Sequence, residues 1–223
     1  MDMLALPKPK GYFSTRTGSS IHDFYLCGLV EPAEEYVEWF EIIRRAAPTD
    51  VIRIHINSYG GDLFSAIQMV RVLNECEATV VTSVEGACMS AATMIFLNAD
   101  IYEVSEHSMF MFHNYSGMVG GKGGEMFEQL SHERDWSGKM MRDIYKDFLT
   151  ENEIESMLNN KDIWMDGDQV LDRLEAKAKK LEKKSKKIEK ESKKIAKKNK
   201  KKAAKETEES KKHDLDDYEE QMI

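Results

Sequence analysis

The sequence predicts an α/β domain with a mostly parallel sheet, and three observations carry that reading. Val51-Ile-Arg-Ile-His-Ile-Asn57 alternates with period two and is rich in β-branched residues; Ala78–Val84 is a second apolar run of strand length; and segments of helical period lie before, between and after them. Strands that alternate with helices are joined by crossovers, and crossovers leave neighbouring strands parallel.

The elements follow in chain order. Residues 1–22 carry Pro7, Pro9, Gly11, Gly18, Ser19 and Ser20 without periodicity and read as an extension, with folded sequence starting near Phe24. Ala33–Ala47 places Tyr36, Trp39, Phe40 and Ile43 at helical spacing. Tyr59-Gly60-Gly61 is expected to break the first strand, after which Asp62 caps a helix whose apolar residues are Leu63, Ile67, Val70 and Leu73. The second strand leads through Gly86 to a small-residue helix, Cys88–Asn98; Ile101–Val104 and Ser108–His113 are two further strands. Five glycines within Gly117–Gly124 predict a mobile loop before a long helix, Glu125–Leu149. Thr150-Glu-Asn-Glu153 is a capping box for another helix, Asp162-Ile-Trp-Met165 is a short extended piece, and a final helix opens near Asp166.

From Lys177 the composition changes. Leu174, Leu181, Ile188 and Ile195 fall on one position of a seven-residue repeat, whereas the companion positions are Ala178, Ser185, Ser192 and Asn199. A coiled coil needs apolar residues at both, so the tail reads as a solvated helix or disorder before it reads as a coiled coil or a basic binding arm. The expected organisation is an extension over 1–22, a domain over 23–175 and a lysine-rich tail with an acidic end over 176–223.

Charge is divided in the same way. Residues 1–175 hold 14 Lys and Arg against 29 Asp and Glu, while residues 176–212 hold 18 Lys and 6 Glu. The acidic body argues against a nucleic-acid-binding core and leaves only weak contact through the tail. Cys27, Cys76 and Cys88 have no C-x-x-C spacing, so neither a disulfide framework nor a zinc site is read from them. No run reaches the ~18 apolar residues of a membrane helix, and no signal peptide is read at the N-terminus, so a cytoplasmic protein is expected.

Four places can carry chemistry. Gly60-Gly61, at the carboxyl end of a strand, can turn backbone amides toward a developing negative charge, although alone the pair is an ordinary tight turn. Ser90, in Glu85-Gly-Ala-Cys-Met-Ser90-Ala-Ala-Thr93, stands where a strand meets a helix, with the Ala91 amide placed to donate to an oxyanion. This is not the G-x-S-x-G elbow, and a serine among alanines is as readily a packing residue. His113, ending a strand, can serve as the base that a serine hydroxyl requires; His55 and His107 are weaker rivals. Asp162 precedes an apolar run and is expected to be partly buried, as an acid that orients a histidine must be. Otherwise it is a turn or capping aspartate. None of this chemistry calls for a metal or cofactor.

Together these places resemble the proteolytic subunit of the Clp protease (ClpP). That family has Ile-Asn-Ser-Pro-Gly-Gly after its first core strand, where this chain has Ile56-Asn-Ser-Tyr-Gly-Gly61. Its Gly-x-Ala-x-Ser corresponds to Gly86-Ala-Cys-Met-Ser90 with the alanine shifted by one, its Met-Ile-His to Met111-Phe-His113, and its Asp-x-Phe-Met to Asp162-Ile-Trp-Met165. The resemblance spans about residues 23–175. It implies a ClpP/crotonase-like fold, Ser90 as nucleophile, His113 as base, Asp162 as orienting acid, and the Gly61 and Ala91 amides as oxyanion hole. It further implies a homo-oligomeric ring, with Gly117–Gly124 and the following helix as the handle that joins two rings, and unfolded polypeptide substrates delivered by a Clp-type ATPase.

The departures from the family lie elsewhere. Tyr59 replaces a proline, the last helix runs into the lysine repeat instead of a terminal strand, and the N-terminus does not match the family's axial loop; these bear on the ATPase partner more than on catalysis. By analogy a compact, tailed member would suit a phage or other mobile element. Two other function classes stand beside the serine endopeptidase. A crotonase-type acyl-CoA enzyme would use the amides without needing Ser90, His113 and Asp162 together, and a structural ring subunit would need none of them.

Overall fold

The computed structural model describes residues 12–16, 18–183, 185–186, 190–192 and 194. The chain divides into two units, Met1–Leu174 and Glu175–Ile223.

The first unit is a mixed α/β fold on a seven-stranded, mostly parallel sheet. Its strands are β1 (Tyr12–Arg16), β2 (Ser20–Val30), β3 (Val51–Gly61), β4 (Thr79–Met89), β5 (Ile101–Val104), β6 (Met109–Phe112) and β7 (Ile163–Asp166). The order is β1-β2-β3-β4-β6-β7, with β5 also paired to β4. Strands β2 to β6 pair in parallel, and β1 and β7 are antiparallel to their neighbours. The helices are α1 (Val37–Arg45, entered through a 3-10 turn), α2 (Leu63–Glu75), α3 (Ala91–Phe96), α4 (Gly123–Tyr145) and α5 (Glu151–Leu158). Residues 167–174 are also helical.

Alternation decides which face of the sheet is core. Ile52, Ile54 and Ile56 of β3 are buried, as are Phe24 and Leu26 of β2 and Phe110 and Phe112 of β6. They belong to one apolar cluster with Trp39, Phe40 and Ile43 of α1, Met69 and Leu73 of α2, and Ile154 and Met157 of α5. Side chains of this size contribute roughly 1.5–3 kcal/mol each when fully buried. The intervening residues are polar: His55 lies between Glu85 (2.5 Å) and Asp23 (3.2 Å), with its ring stacked on Tyr25 at 4.4 Å.

Several boundaries differ from the sequence reading. Strand β2 opens at Ser20, before Phe24, because its first residues form a hairpin with β1 (Arg16–Ser20) and pair with β3 thirty residues on (Ile21–Val51). Strand β3 is not broken at Tyr59 but continues through Gly61, where β2 still pairs with it. The buried stripe of α2 is Ser65, Ala66, Met69, Val72 and Leu73, with Leu63, Ile67 and Val70 half-buried, so the helix is covered over a wider arc than one apolar row.

The largest difference is in β4. The sequence reading ends it at Val84 and begins a helix at Cys88, whereas the strand continues to Met89 and α3 starts at Ala91. It does so by changing partner: Val81–Val84 pair with β5, and Ala87–Met89 pair with β6. At the change the register against β3 jumps from Ile56–Val84 to Ser58–Cys88. Asn57 fills the gap, its Oδ1 accepting the Ala87 N–H at 3.0 Å, and Gly86 leaves room for it, since a Cβ there would lie 2.7 Å from that oxygen. The Val84 carbonyl freed at the change accepts the Ser105 N–H (3.0 Å) and the Ser108 hydroxyl (3.1 Å).

Three sequence-read caps are present, the first being Asp62, which accepts the Ser65 N–H at 2.7 Å at the start of α2. Thr150 and Glu153 form the capping box of α5, and Asp166 accepts the Gln169 N–H at the start of the last helix. In the second unit, residues 175–183, 185–186, 190–192 and 194 are helical, with Glu175–Lys179 and Glu182–Lys186 pairs one turn apart. Ile188, Ile195 and Asn199 of the repeat, the acidic end and residues 1–11 lie outside the described residues. No described helix is long and apolar enough to cross a membrane, and Cys27, Cys76 and Cys88 are free thiols.

Candidate active site

The carboxyl ends of β3, β4 and β6 meet at one point. At the end of β3, Ser58 is fully buried and its hydroxyl accepts the Gly60 N–H at 3.2 Å. Gly60 has φ +88, and a Cβ on it would fall 2.6 Å from the Ser90 Cβ and 2.8 Å from the Met89 carbonyl oxygen. Gly61 has φ +151, and a Cβ there would fall 2.3 Å from the Val30 carbonyl oxygen. Both glycines are therefore required by close approach as well as by backbone angle. The Asp62 N–H donates to Val30 O at 2.8 Å. Successive amides of a parallel strand face opposite neighbours, so the Gly61 N–H turns away from β2.

At the end of β4, Ser90 has φ 53 and ψ −128. A positive φ is uncommon for a residue with a side chain and costs of order 1–3 kcal/mol, so it persists only where the surroundings enforce it. Here the Ser90 N–H donates to Met111 O (2.8 Å) of β6, while its carbonyl accepts from the Thr93 N–H (2.9 Å) and the Thr93 hydroxyl (2.6 Å). Thr93 in turn meets the Tyr145 hydroxyl at 2.7 Å, and burial raises the pKa of that phenol far above its usual value. This bend at a strand-to-helix junction is the backbone geometry of a nucleophile elbow, reached without the G-x-S-x-G sequence. Thr93 and Tyr145 were not singled out by the sequence reading. A threonine three residues after the serine was the available signal.

At the end of β6, His113 Nε2 lies 2.6 Å from Ser90 Oγ. The two residues come from separate strands, and β4–β6 pairing up to Met89–Met111 delivers them side by side. The rival histidines are elsewhere: His55 is held by Glu85 and Asp23, and His107 is exposed in the turn before β6. The β6–β7 register runs from Met109–Asp166 to Phe112–Ile163. His113 and Asp162 are the next residues beyond that ladder, one beside each strand and both outside it. Asp162 is nonetheless exposed, where partial burial was expected, and it has no hydrogen-bond or ion-pair partner among the described residues. The physical reason is its position: it lies just before β7, the outermost strand, past the end of the β6–β7 ladder.

Ser90, His113, Gly61 and Ala91 line one cavity of about 50 Å³, together with Met141 and Tyr145 of α4. Beside it lies a cleft of about 510 Å³ that shares Gly61, Leu63, Tyr115 and Ser116 as its rim. Cys88, immediately before the bend, is fully buried, and burial pushes its thiol well above the usual range, which keeps it protonated and inert. Among the described residues no group of three or more histidine, cysteine or acidic side chains could hold a metal ion.

Compared with known proteins, residues 30–181 match the family model described as Clp protease. No curated protein matches the chain.

Proposed function

Because the chain belongs to the Clp protease family, a family of peptidases, we propose that it is a serine endopeptidase in which Ser90 is the nucleophile and His113 the general base. The observation that carries this reading is the 2.6 Å contact between His113 Nε2 and Ser90 Oγ on a serine held at positive φ. Neutral His113 takes the Ser90 proton as Oγ attacks the scissile carbonyl, then returns it to the leaving amine, and water hydrolyses the acyl-enzyme by the same route. The Gly61 and Ala91 amides donate to the oxyanion. Asp162 orients the imidazole once it is brought against His113 Nδ1.

The substrates are unfolded polypeptides or peptides, admitted to a chamber formed by rings of this chain. Exposed apolar side chains on α4, Phe127 at 73% and Leu130 at 49%, support a role for that helix as the handle between rings. A Clp-type ATPase is the matching unfoldase, and the cytoplasm the matching compartment. No metal or cofactor takes part.

A fluorophosphonate probe tests the nucleophile. We expect it to label Ser90, identified by peptide mapping, and Ser90→Ala to abolish both labelling and peptide hydrolysis. One observation favours a second reading: the exposed, unpaired Asp162 is also what a structural ring subunit would show. An assembled ring that neither labels nor hydrolyses would establish that reading instead.

A further inference from the structure

We infer that the cleft beside Ser90 is a specificity pocket for lysine or arginine side chains, so that the enzyme prefers to cut next to basic residues. This rests on the peptidase reading and names its substrate class.

The cleft is continuous with the Ser90–His113 cavity through their shared rim, so a side chain within a residue or two of the scissile bond can enter it. Its walls are apolar and aromatic. Phe64, at the start of α2, stacks on Trp136 of α4 with centroids 5.7 Å apart and planes 23° apart, and Phe64 is 68% exposed. Its titratable lining is Asp62, Glu133 and His132, besides the Tyr115 phenol at the rim, so its formal charges at neutral pH are negative. Asp62 and Glu133 both face it, and no lysine or arginine does.

Neither carboxylate is neutralised. Asp62 uses Oδ1 to accept the Ser65 N–H (2.7 Å) and hydroxyl (2.8 Å), and Glu133 accepts the Gln129 side-chain amide at 2.7 Å. Among the described residues neither has a cationic partner. The field of Glu133 reaches the rim: the Tyr115 phenol is pushed up by burial and, after that, by the Glu133 charge. A long apolar stem ending in a cation satisfies all of these features. Methylenes pack on Phe64 and Trp136, the cation lies over the aromatic faces, and the head meets the two carboxylates. An acidic side chain would meet two like charges in a partly desolvated cleft and be rejected.

The test is a set of internally quenched peptides of one backbone, carrying lysine, arginine, norleucine or glutamate in turn at the two positions on each side of the scissile bond. The full-length protein is assayed and kcat/KM ratios are compared. At one position we expect lysine and arginine to be favoured about tenfold over norleucine and more over glutamate, the product of a few-fold from each partly exposed contact. Glu133→Gln together with Asp62→Asn should bring the lysine-to-norleucine ratio toward one. A ratio is read because partial unfolding lowers both rates and cancels. Raising salt should reduce the same ratio in the unmodified protein.

Hydrolysis with no basic preference at any position, or a preference that survives both substitutions and high salt, overturns the inference and leaves the peptidase reading intact. A ring in which a second copy fills the cleft and no side-chain preference is found overturns it equally. If Ser90 neither labels nor supports hydrolysis, the peptidase reading falls and this inference falls with it.

Discussion

Ser90 keeps a backbone conformation that glycine would adopt without strain, and that tension separates its chemical role from its structural one. Ser90→Ala should lower hydrolysis by at least about 10⁴-fold while leaving stability nearly unchanged, since alanine bears the same strain. Ser90→Gly should be equally inactive yet about 1 kcal/mol more stable than Ser90→Ala, the relief of strain being partly offset by glycine's entropy. Urea midpoints of the two variants check this, and equal midpoints would show that the bend is unstrained. Gly60→Ala brings a methyl against the Ser90 Cβ at φ +88 and should cost about 2–3 kcal/mol, with loss of hydrolysis. At this scale the candidate residues were legible: a serine, a histidine and a glycine pair stand at strand ends, and the fold gathers them. The Ser90 backbone angle and the exposure of Asp162 were not, because both depend on what lies across the sheet. Neighbours in sequence do not report that.

The long strand β4 is where local signals misled and where the fold makes its main decision. Gly86 and the small residues after it read as a helix start, yet pairing with β6 outweighs propensity, as it does whenever ladder bonds and burial are both available. Asn57 is the device that permits the change of partner. Asn57→Ala, which leaves the Ala87 N–H without its acceptor, should cost about 1–2 kcal/mol and reduce hydrolysis by loosening the bend that follows. At the far side of the unit, the capping box of α5 was read from four residues, but its tie to the last helix was not. Arg173 forms two hydrogen bonds with Glu153, at 2.9 and 2.6 Å, and lies over the Phe148 ring at 6.0 Å. The Arg173 hydrogen bonds, with further help from Thr150, lower the Glu153 pKa from 4.5 to about 2. A lowered carboxylate pKa means that the stabilisation is complete above the unfolded value and is lost as pH falls through the folded one. Arg173→Met should therefore cost about 1–2 kcal/mol at pH 7, with each side chain a quarter exposed, and the deficit should shrink between about pH 4.5 and pH 2. A deficit constant across that range, measured by urea unfolding, would assign the loss to packing on Phe148.

The whole molecule sets an acidic body against a lysine-rich end, a division visible in composition alone. Truncation after Ala176 should leave a folded, hydrolytically active body, since the core closes with Val170 and Leu174. The full chain should show stronger association between copies at low salt than the truncated one, and the two should converge as salt rises. Circular dichroism and sedimentation of both forms decide the matter, and an unfolded truncated form would extend the domain past residue 176. Strand β7, at the outer end of the sheet, has a further consequence. Edge strands are templates for another chain, and Asp162 immediately precedes this one, just past its ladder with β6. If Asp162 is the orienting acid proposed above, the enzyme behaves as a zymogen without a propeptide: nothing has to be cut away, and pairing of that edge with another chain completes it. Its specific activity should climb with enzyme concentration, and dilution should produce progress curves that slow before substrate runs out. Newly made chains would then pass through the cell harmlessly until enough had accumulated to meet.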